Sequence, residues 1–500
     1  MNAMPPQTRH SPLARQLADQ VFSRSAGAPL VGGNAIRLLF DSKENFPAWL
    51  DSIRNARHSI LMEMYLVGSD SFGRELCQAL AERARAGVRV VLVYDWLGSW
   101  VAQCRGVFAE LAAAGGQVVR YNPPSTGNLL GLFGRDHRKL IVVDSEVAYI
   151  SGLCASARWE GANGTEPWRD TGLALRGPLV GEAINAIADT LLHCGHPLRE
   201  ETLEELHRRV PESAGNVAAR LIATTPATAH MMRLDLLVAG FARHTLWLTD
   251  AYFVGTSLYM MALKEAARDG VDVRLLVPRA SDIPWIAALS RTLYRPLLEA
   301  GVRVFEWNGP MIHAKTAMAD RRWARIGSTN LNISSWLANR ELDVAIEDEG
   351  IAAQMADRFL ADLDNATEIV LGARRIPVLT HPRPVTPGSR RTPSAAAAAT
   401  AAARQAARIG DVMGAAVRGT RAVEGGEAGA FMTIGAILLG LALAILAFPK
   451  LLAYPLAIVL LFSGGAILLR AVTLRLDGLA ERKKQHPARR PDTTDRTDTH

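Results

Sequence analysis

Two stretches of the chain carry the same ruler of chemically active side chains. "HRKLIVVDSEVAYISGLCAS" places His137, Lys139 and Asp144 on the pattern H-x-K-x-x-x-x-D, and "MIHAKTAMADRRWARIGSTN" repeats it with His313, Lys315 and Asp320. Imidazoles and ammonium groups without further His, Cys or carboxylate ligands suit an anion better than a metal ion. Against a phosphodiester, the lysines and the Asn330 amide can hold the non-bridging oxygens, where charge persists through the transition state. One imidazole can attack phosphorus while the other protonates the departing oxygen, which splits one hard displacement into two easier ones. Histidine suits both tasks because its unperturbed pKa of about 6.5 lies near working pH. No cofactor and no metal are expected.

The six motif residues form the expected catalytic group, but strand geometry separates them. Side chains alternate along a strand, so His137 and Lys139 share a face while Asp144, an odd number of positions on, turns to the other. His313, Lys315 and Asp320 repeat that parity. Carboxylates that could hold the imidazoles are therefore sought downstream, at Asp170 in "EPWRDTGLALRG" and Glu341 in "ANRELDVAIED". With Ser328 and Asn330 of "GSTN" they form the supporting set.

Elements that could position these groups follow an alternating order. "SILMEMYLV" predicts a buried strand, "GRELCQALAERARAG" an amphipathic helix ended by Gly87, and "VRVVLVYDW" a second buried strand. The order returns in "HTLWLTDAYFV", "YMMALKEAARDG" and "VDVRLLVPR", with Arg57-His58 answering Arg243-His244, Tyr65 answering Tyr252 and Gly87 answering Gly270. The chain is thus an internal duplication of an α/β layered unit. A pseudo-twofold axis between the halves would converge two imidazoles and two ammonium groups on one pocket.

The two H-x-K-x-x-x-x-D copies, with "GSTN" after the second, resemble the phospholipase D superfamily. The stretches "GNAIRLLFD", "MEMYLVGSDSFGRELCQALAERARAGVRVVLVYDWLGS", "RDHRKLIVVD" and "WRDTGLALRG" are similar to bacterial cardiolipin synthases, and the likeness runs from about Asn34 to Ile369. The resemblance implies two phospholipase D-like domains, a phosphohistidine intermediate and no metal. It also implies that each supporting carboxylate comes from the opposite half, pairing Asp170 with His313 and Glu341 with His137, and that His137 attacks while His313 is the general acid. Where the family usually has an Asn after the first motif, this chain has Cys154. A thiol is a weak donor beside an amide, so the first half is expected to grip phosphate less firmly.

The 500 residues exceed one ordinary domain. The expected divisions are an extension over 1–33, phospholipase D-like domains over 34–210 and 211–375, a Pro/Ala-rich basic linker over 376–427, two transmembrane helices over 428–470 and a basic tail over 471–500. The apolar runs Ala428 to Phe448 and Leu451 to Leu469 are each long enough to span a hydrocarbon layer of about 30 Å. Only Pro449 and Lys450 part them, so both flanks lie on one side. The arginines and lysines after Leu469 place that side in the cytoplasm. "MNAMPPQTRHSPLARQ" lacks the apolar core of a secretory signal. Scattered cysteines, Cys77, Cys104, Cys154 and Cys194, argue against a disulfide framework or a zinc site, and Cys194-Gly-His196 has no partner pair.

These flanks decide between phosphodiesters. The net charge of +7 suits an anionic partner, lipid or nucleic acid. Leu129, Leu130, Leu132 and Phe133, inserted just before His137, suit acyl chains or a bilayer. The expected activity is transfer of a phosphatidyl group to phosphatidylglycerol at the bacterial cytoplasmic membrane, making cardiolipin; the expected partners are phospholipids, phosphatidylglycerol and with it phosphatidylethanolamine, and nucleic acid is not a partner. Hydrolysis by a phospholipase, a membrane-tethered nuclease and a non-catalytic lipid-binding scaffold are the alternatives. Stacking aromatics, which a nuclease groove needs, do not interleave with either motif.

Overall fold

Apolar side chains at successive rather than alternate positions call for a sheet covered on both faces. In the computed structural model, which describes residues 12–123, 134–161, 165–226 and 228–371, the strand Ser59–Met64 is buried throughout. Ile60, Met62 and Met64 enter one core and Leu61 the opposite one; along Arg89–Asp95, Val90, Leu92 and Tyr94 join the first and Val91 and Val93 the second.

The first half contributes β1 (Val31–Phe40), β2 (Ser59–Met64), β3 (Arg89–Asp95), β4 (Gln117–Tyr121), β5 (Lys139–Val143), β6 (Val147–Ser151) and β7 (Thr171–Arg176). The second contributes β8 (Val217–Thr224), β9 (Thr245–Thr249), β10 (Asp272–Pro278), β11 (Arg303–Trp307), β12 (Thr316–Ala319), β13 (Trp323–Gly327), β14 (Glu341–Glu347) and β15 (Ala366–Ile369). Among the described residues they form one 15-stranded sheet. Its order β4-β3-β2-β5-β6-β7-β1 is answered by β11-β10-β9-β12-β13-β14-β8, with β15 added at the outer edge. Antiparallel pairing of β1 with β8 joins the halves, so the approximate twofold axis passes between these two strands.

Helices cover the strands with matching signals in the two halves. Helix Ser71–Arg85 begins where the Asp70 carboxylate accepts from Gly73 N at 3.1 Å, and ends before Gly87 at φ +85°. Helix Ser257–Arg268 begins with the Thr256 hydroxyl accepting from Tyr259 N at 3.4 Å, and Gly270 at φ +90° ends it. Glycine occupies that left-handed position without the steric cost of a Cβ. Leu38, Leu173, Ile326, Leu342 and Val344 share one buried cluster. At about 1.5–3 kcal/mol for each fully buried aliphatic side chain, this shared core resists separation of the halves.

The N-terminal extension takes part in the packing: its helix Pro12–Ala26 lies along His230–Phe241, with the Phe22 and Phe241 rings 5.6 Å apart. Among the described residues no helix is long and apolar enough to cross a membrane. The linker, both apolar runs, the basic tail and the 129–133 loop lie outside the described residues.

Candidate active site

Each motif histidine sits just ahead of a strand, in a short extended segment that pairs with the other half. Asp136 bridges to Arg340 and Arg169 to Ile312. His137 N donates to Arg340 O at 2.9 Å, and His313 N donates to Arg169 O at 2.7 Å. The residue after each bridging arginine is a carboxylate, Glu341 or Asp170. Backbone pairing thus sets each imidazole beside an acid from the opposite half.

The side chains complete that arrangement. His137 Nδ1 lies 2.9 Å from Glu341 Oε2, and His313 Nδ1 lies 2.8 Å from Asp170 Oδ2. Nδ1–H donating to a carboxylate leaves Nε2 as the basic nitrogen of each ring. Glu341 also accepts from Ser328 Oγ at 2.6 Å and Asn339 Nδ2 at 3.1 Å. Asp170 instead accepts from Trp159 Nε1 at 2.9 Å and Thr171 N at 2.8 Å. The difference follows from one residue: Gly152 stands where the second half has Ser328, and a Cβ there would collide with the Asp170 carboxylate.

Lys139 and Lys315, both 1% exposed, hold their ammonium groups against the carbonyls of His137 and His313. Lys315 Nζ also lies 2.8 Å from both ring nitrogens of His313. Burial, and then the Lys315 charge, push the His313 pKa down to about 4. Burial likewise lowers that of His137, against the pull of Glu341. For Asp170 and Glu341 burial acts upward, but the facing imidazoles and lysines outweigh it and hold both carboxyls below their ordinary range. Burial brings Lys315 down to about 8. The resting pocket therefore pairs neutral imidazoles with carboxylates and carries positive charge on its lysines, an arrangement ready for an anion.

Asn330 is 4% exposed; its Nδ2 lies 3.4 Å from Ser335 Oγ, and its Oδ1 has no partner among the described residues. A half-turn of the amide would offer two N–H donors at that end while Ser335 donates to the oxygen. Cys154 occupies the equivalent position, 17 residues after its histidine, buried and with its thiol pKa raised by burial.

Asp144 and Asp320 require a correction: the structure does not bring them to the imidazoles. Each lies past the far end of its strand, about 16 Å from the motif lysine at 3.3 Å per residue. The Asp144 carboxylate accepts from the amides of Arg57, His58 and Ser59 at 2.7–2.9 Å. Asp320 accepts from Arg243, His244 and Thr245 at 2.7–2.9 Å. Both tie a strand end to the turn preceding β2 or β9.

Residues that the motif reading passed over complete the wall. Tyr65 meets the His137 ring at 4.9 Å and Tyr252 meets His313 at 5.7 Å, edge to face, and each tyrosine lies under the lysine of its own half. Their matching places in the two repeats were the available signal. Trp159 and Trp168, 5.3 and 5.8 Å from His313, are confined to one half and had no such signal. Among the described residues no three His, Cys, Asp or Glu side chains cluster as metal ligands, and this holds around Cys194-Gly-His196 too.

Comparison with known proteins agrees with this architecture. The profile of the family described as "Cardiolipin synthase, PLD-like domain" matches residues 49–159 and 240–363. Cardiolipin synthase A of Pseudomonas aeruginosa is 33% identical over 361 residues, covering 70% of this chain and 71% of that protein. A cardiolipin synthase of Alkalihalophilus pseudofirmus is 29% identical over 362 residues, covering 71% of each. The crystal structure of a phosphatidylserine synthase from Haemophilus influenzae superposes with a TM-score of 0.55 at 16% identity, covering 70% of this chain and 91% of that one, a likeness of fold. With its duplicated strand order and its paired motifs, the chain belongs to the cardiolipin synthase family of phospholipase D-like proteins.

Proposed function

We propose that this chain makes cardiolipin by carrying a phosphatidyl group on His137 before handing it to phosphatidylglycerol. Phosphatidyl transfer to form cardiolipin is the activity of the family. The observation that supports the two-step course is the pair of imidazoles, each held through Nδ1 by a carboxylate of the other half. In the first step His137 Nε2 forms a bond to phosphorus, and the bond from phosphorus to the headgroup oxygen breaks. His313 Nε2 gives that oxygen its proton, and the free headgroup alcohol leaves. In the second step His313 takes the proton from a hydroxyl of phosphatidylglycerol, whose oxygen bonds to phosphorus as the P–N bond breaks. Lys139, Lys315 and Asn330 hold the non-bridging oxygens throughout.

His313, kept neutral at rest by burial and then by the Lys315 charge, gains its proton as substrate binds, because the phosphodiester anion offsets that charge and favours the protonated ring. Two displacements predict ping-pong kinetics and net retention of configuration at phosphorus. Inversion with a chiral phosphorothioate substrate would mean direct transfer between lipids and would defeat the proposal. The enzyme acts at the bacterial cytoplasmic membrane, held by the apolar runs 428–448 and 451–469 as a hairpin with both flanks inside. A cysteine at position 450 labelled from outside the cell, with one at 485 protected, is the expected result; the reverse pattern contradicts this topology.

A further inference from the structure

Six large apolar side chains that follow strand ends on the histidine side of the sheet stand in water. Leu97, Trp100 and Val101 are 51–53% exposed, Trp285 67%, Ile333 48% and Leu337 39%. They come from both halves, and each group is tied to a residue that touches a motif histidine. In the first half, Ser99 Oγ donates to Tyr65 O at 3.2 Å, and Leu97 N and Gly98 N both donate to Asp95 Oδ1 at 3.0 Å. Asp95 also receives Asp136 N, the residue before His137, at 3.0 Å. A Cβ on Gly98 would collide with the Tyr65 carbonyl, so the turn lies flat on the tyrosine that meets His137.

In the second half, Tyr252 OH donates to Asp282 at 2.8 Å just before Trp285, and Asn332 Nδ2 donates to Tyr252 O at 3.0 Å just before Ile333. All six side chains follow strand ends on the side of the sheet that bears the histidines, while Asp144 and Asp320 mark the other side. Three exposed arginines share the rim: Arg105, bonded to Ser69 Oγ, Arg158, over the Trp168 ring, and Arg279, bonded to Asn308. Among the described residues none of the three is in an ion pair.

We propose that this rim docks onto the phospholipid bilayer, with Trp100, Val101, Trp285 and Ile333 entering the acyl boundary and the three arginines meeting phosphate headgroups. The proposal rests on the phosphatidyltransferase reading, since a lipid site must open toward the surface that holds its substrate. Tryptophan suits that boundary, with an apolar body and one N–H for the polar side. Arginine matches phosphate through its planar fork. Exposed tryptophans and aliphatic side chains gathered at one end of the strands are unfavourable in water and gain by entering an apolar phase. Docking would let a lipid reach the buried histidines with its acyl chains still in the membrane.

The test uses the full chain in phosphatidylglycerol-containing vesicles, on a Cys104→Ser, Cys194→Ser background. The single variants Val101→Cys and Ile333→Cys, and Glu146→Cys and Arg321→Cys on the opposite end of the strands, carry an environment-sensitive fluorophore, and acyl-chain spin-labelled lipid is the quencher. Quenching at 101 and 333 but not at 146 and 321 is expected; equal quenching at all four, or none, overturns the proposal. A second arm compares Trp100→Ser, Trp285→Ser enzyme on vesicles and on monomeric short-chain phosphatidylglycerol. Transfer should fall roughly tenfold on vesicles alone, the factor that a loss of about 1.4 kcal/mol in surface binding produces. Equal loss on both substrates contradicts docking. Quenching without cardiolipin formation on either substrate would instead reject the transferase reading and leave the docking surface standing.

Discussion

Replacing Asp144 tests whether the third letter of the motif does chemistry or holds the fold. Its carboxylate receives three backbone amides, Arg57, His58 and Ser59, at 2.8, 2.7 and 2.9 Å. A hydrogen bond to a charged group contributes about 1.5–3 kcal/mol when well shielded; this turn is half-buried, so water can replace part of the loss. Asp144 also sits at φ +53°, where alanine is strained by about 1–2 kcal/mol and asparagine hardly at all. Asp144→Ala should therefore cost about 3 kcal/mol and Asp144→Asn about 1 kcal/mol, since asparagine keeps one acceptor oxygen for two of the amides. At roughly 2–4 °C per kcal/mol for a large domain, Tm falls by roughly 6–12 °C for alanine and a few degrees for asparagine. Thermal melts paired with initial rates well below the transition give both numbers. In both variants kcat should stay within about threefold of wild type, because the carboxylate acts about 16 Å from the lysine. A hundredfold loss of kcat with an unchanged Tm would instead restore Asp144 to the catalytic group.

Three further outcomes follow from the site. Glu341→Gln and Asp170→Asn each keep the side-chain shape but remove the charge that orients and stabilises an imidazolium; kcat should drop by roughly three orders of magnitude with KM nearly unchanged, and a drop confined to KM would contradict the assigned role. Folded His313 is neutral down to about pH 4, whereas the unfolded chain takes the proton near pH 6.5, so the unfolded state binds more protons between these values and stability falls as pH falls. The loss amounts to about 3 kcal/mol from pH 6.5 to 4; denaturant midpoints across that range should flatten in His313→Gln, and an unaltered pH dependence would remove the assignment. Cys154 is buried with its thiol pKa raised, so it should resist alkylation in the folded protein while exposed Cys104 reacts; Cys154→Asn, which restores a second amide, should lower KM for the donor lipid a few fold, and an equal or higher KM would count against phosphate contact at that position.

Much of this arrangement was legible from spacing alone, and the rest depends on contacts between the halves. The duplication could be read because Gly87 and Gly270, Tyr65 and Tyr252, and the two motifs recur in one order. Strand parity turned Asp144 and Asp320 away from the histidines, and the structure adds what they hold instead. Which half supplies each carboxylate could not be derived from spacing, because it follows from the bridges of Asp136 to Arg340 and Arg169 to Ile312, pairings of residues more than a hundred positions apart. The family resemblance implied that exchange, and the geometry supplies its cause. Trp159 had no twin and no motif; only the missing Cβ of Gly152 and the shorter reach of Asp170 make room for its indole N–H.

Mapping the trapped phosphate in His313→Ala shows whether one imidazole carries the phosphatidyl group while the other moves the proton. A nitrophenyl phosphodiester lipid needs no acid to expel its leaving group, so this variant should release nitrophenol once and stall, with the label on His137. His137→Ala should release none and take up no label. Label on His313 in the His137 variant would reverse the two roles, and steady turnover by either variant without a trapped intermediate would contradict transfer through a phosphohistidine.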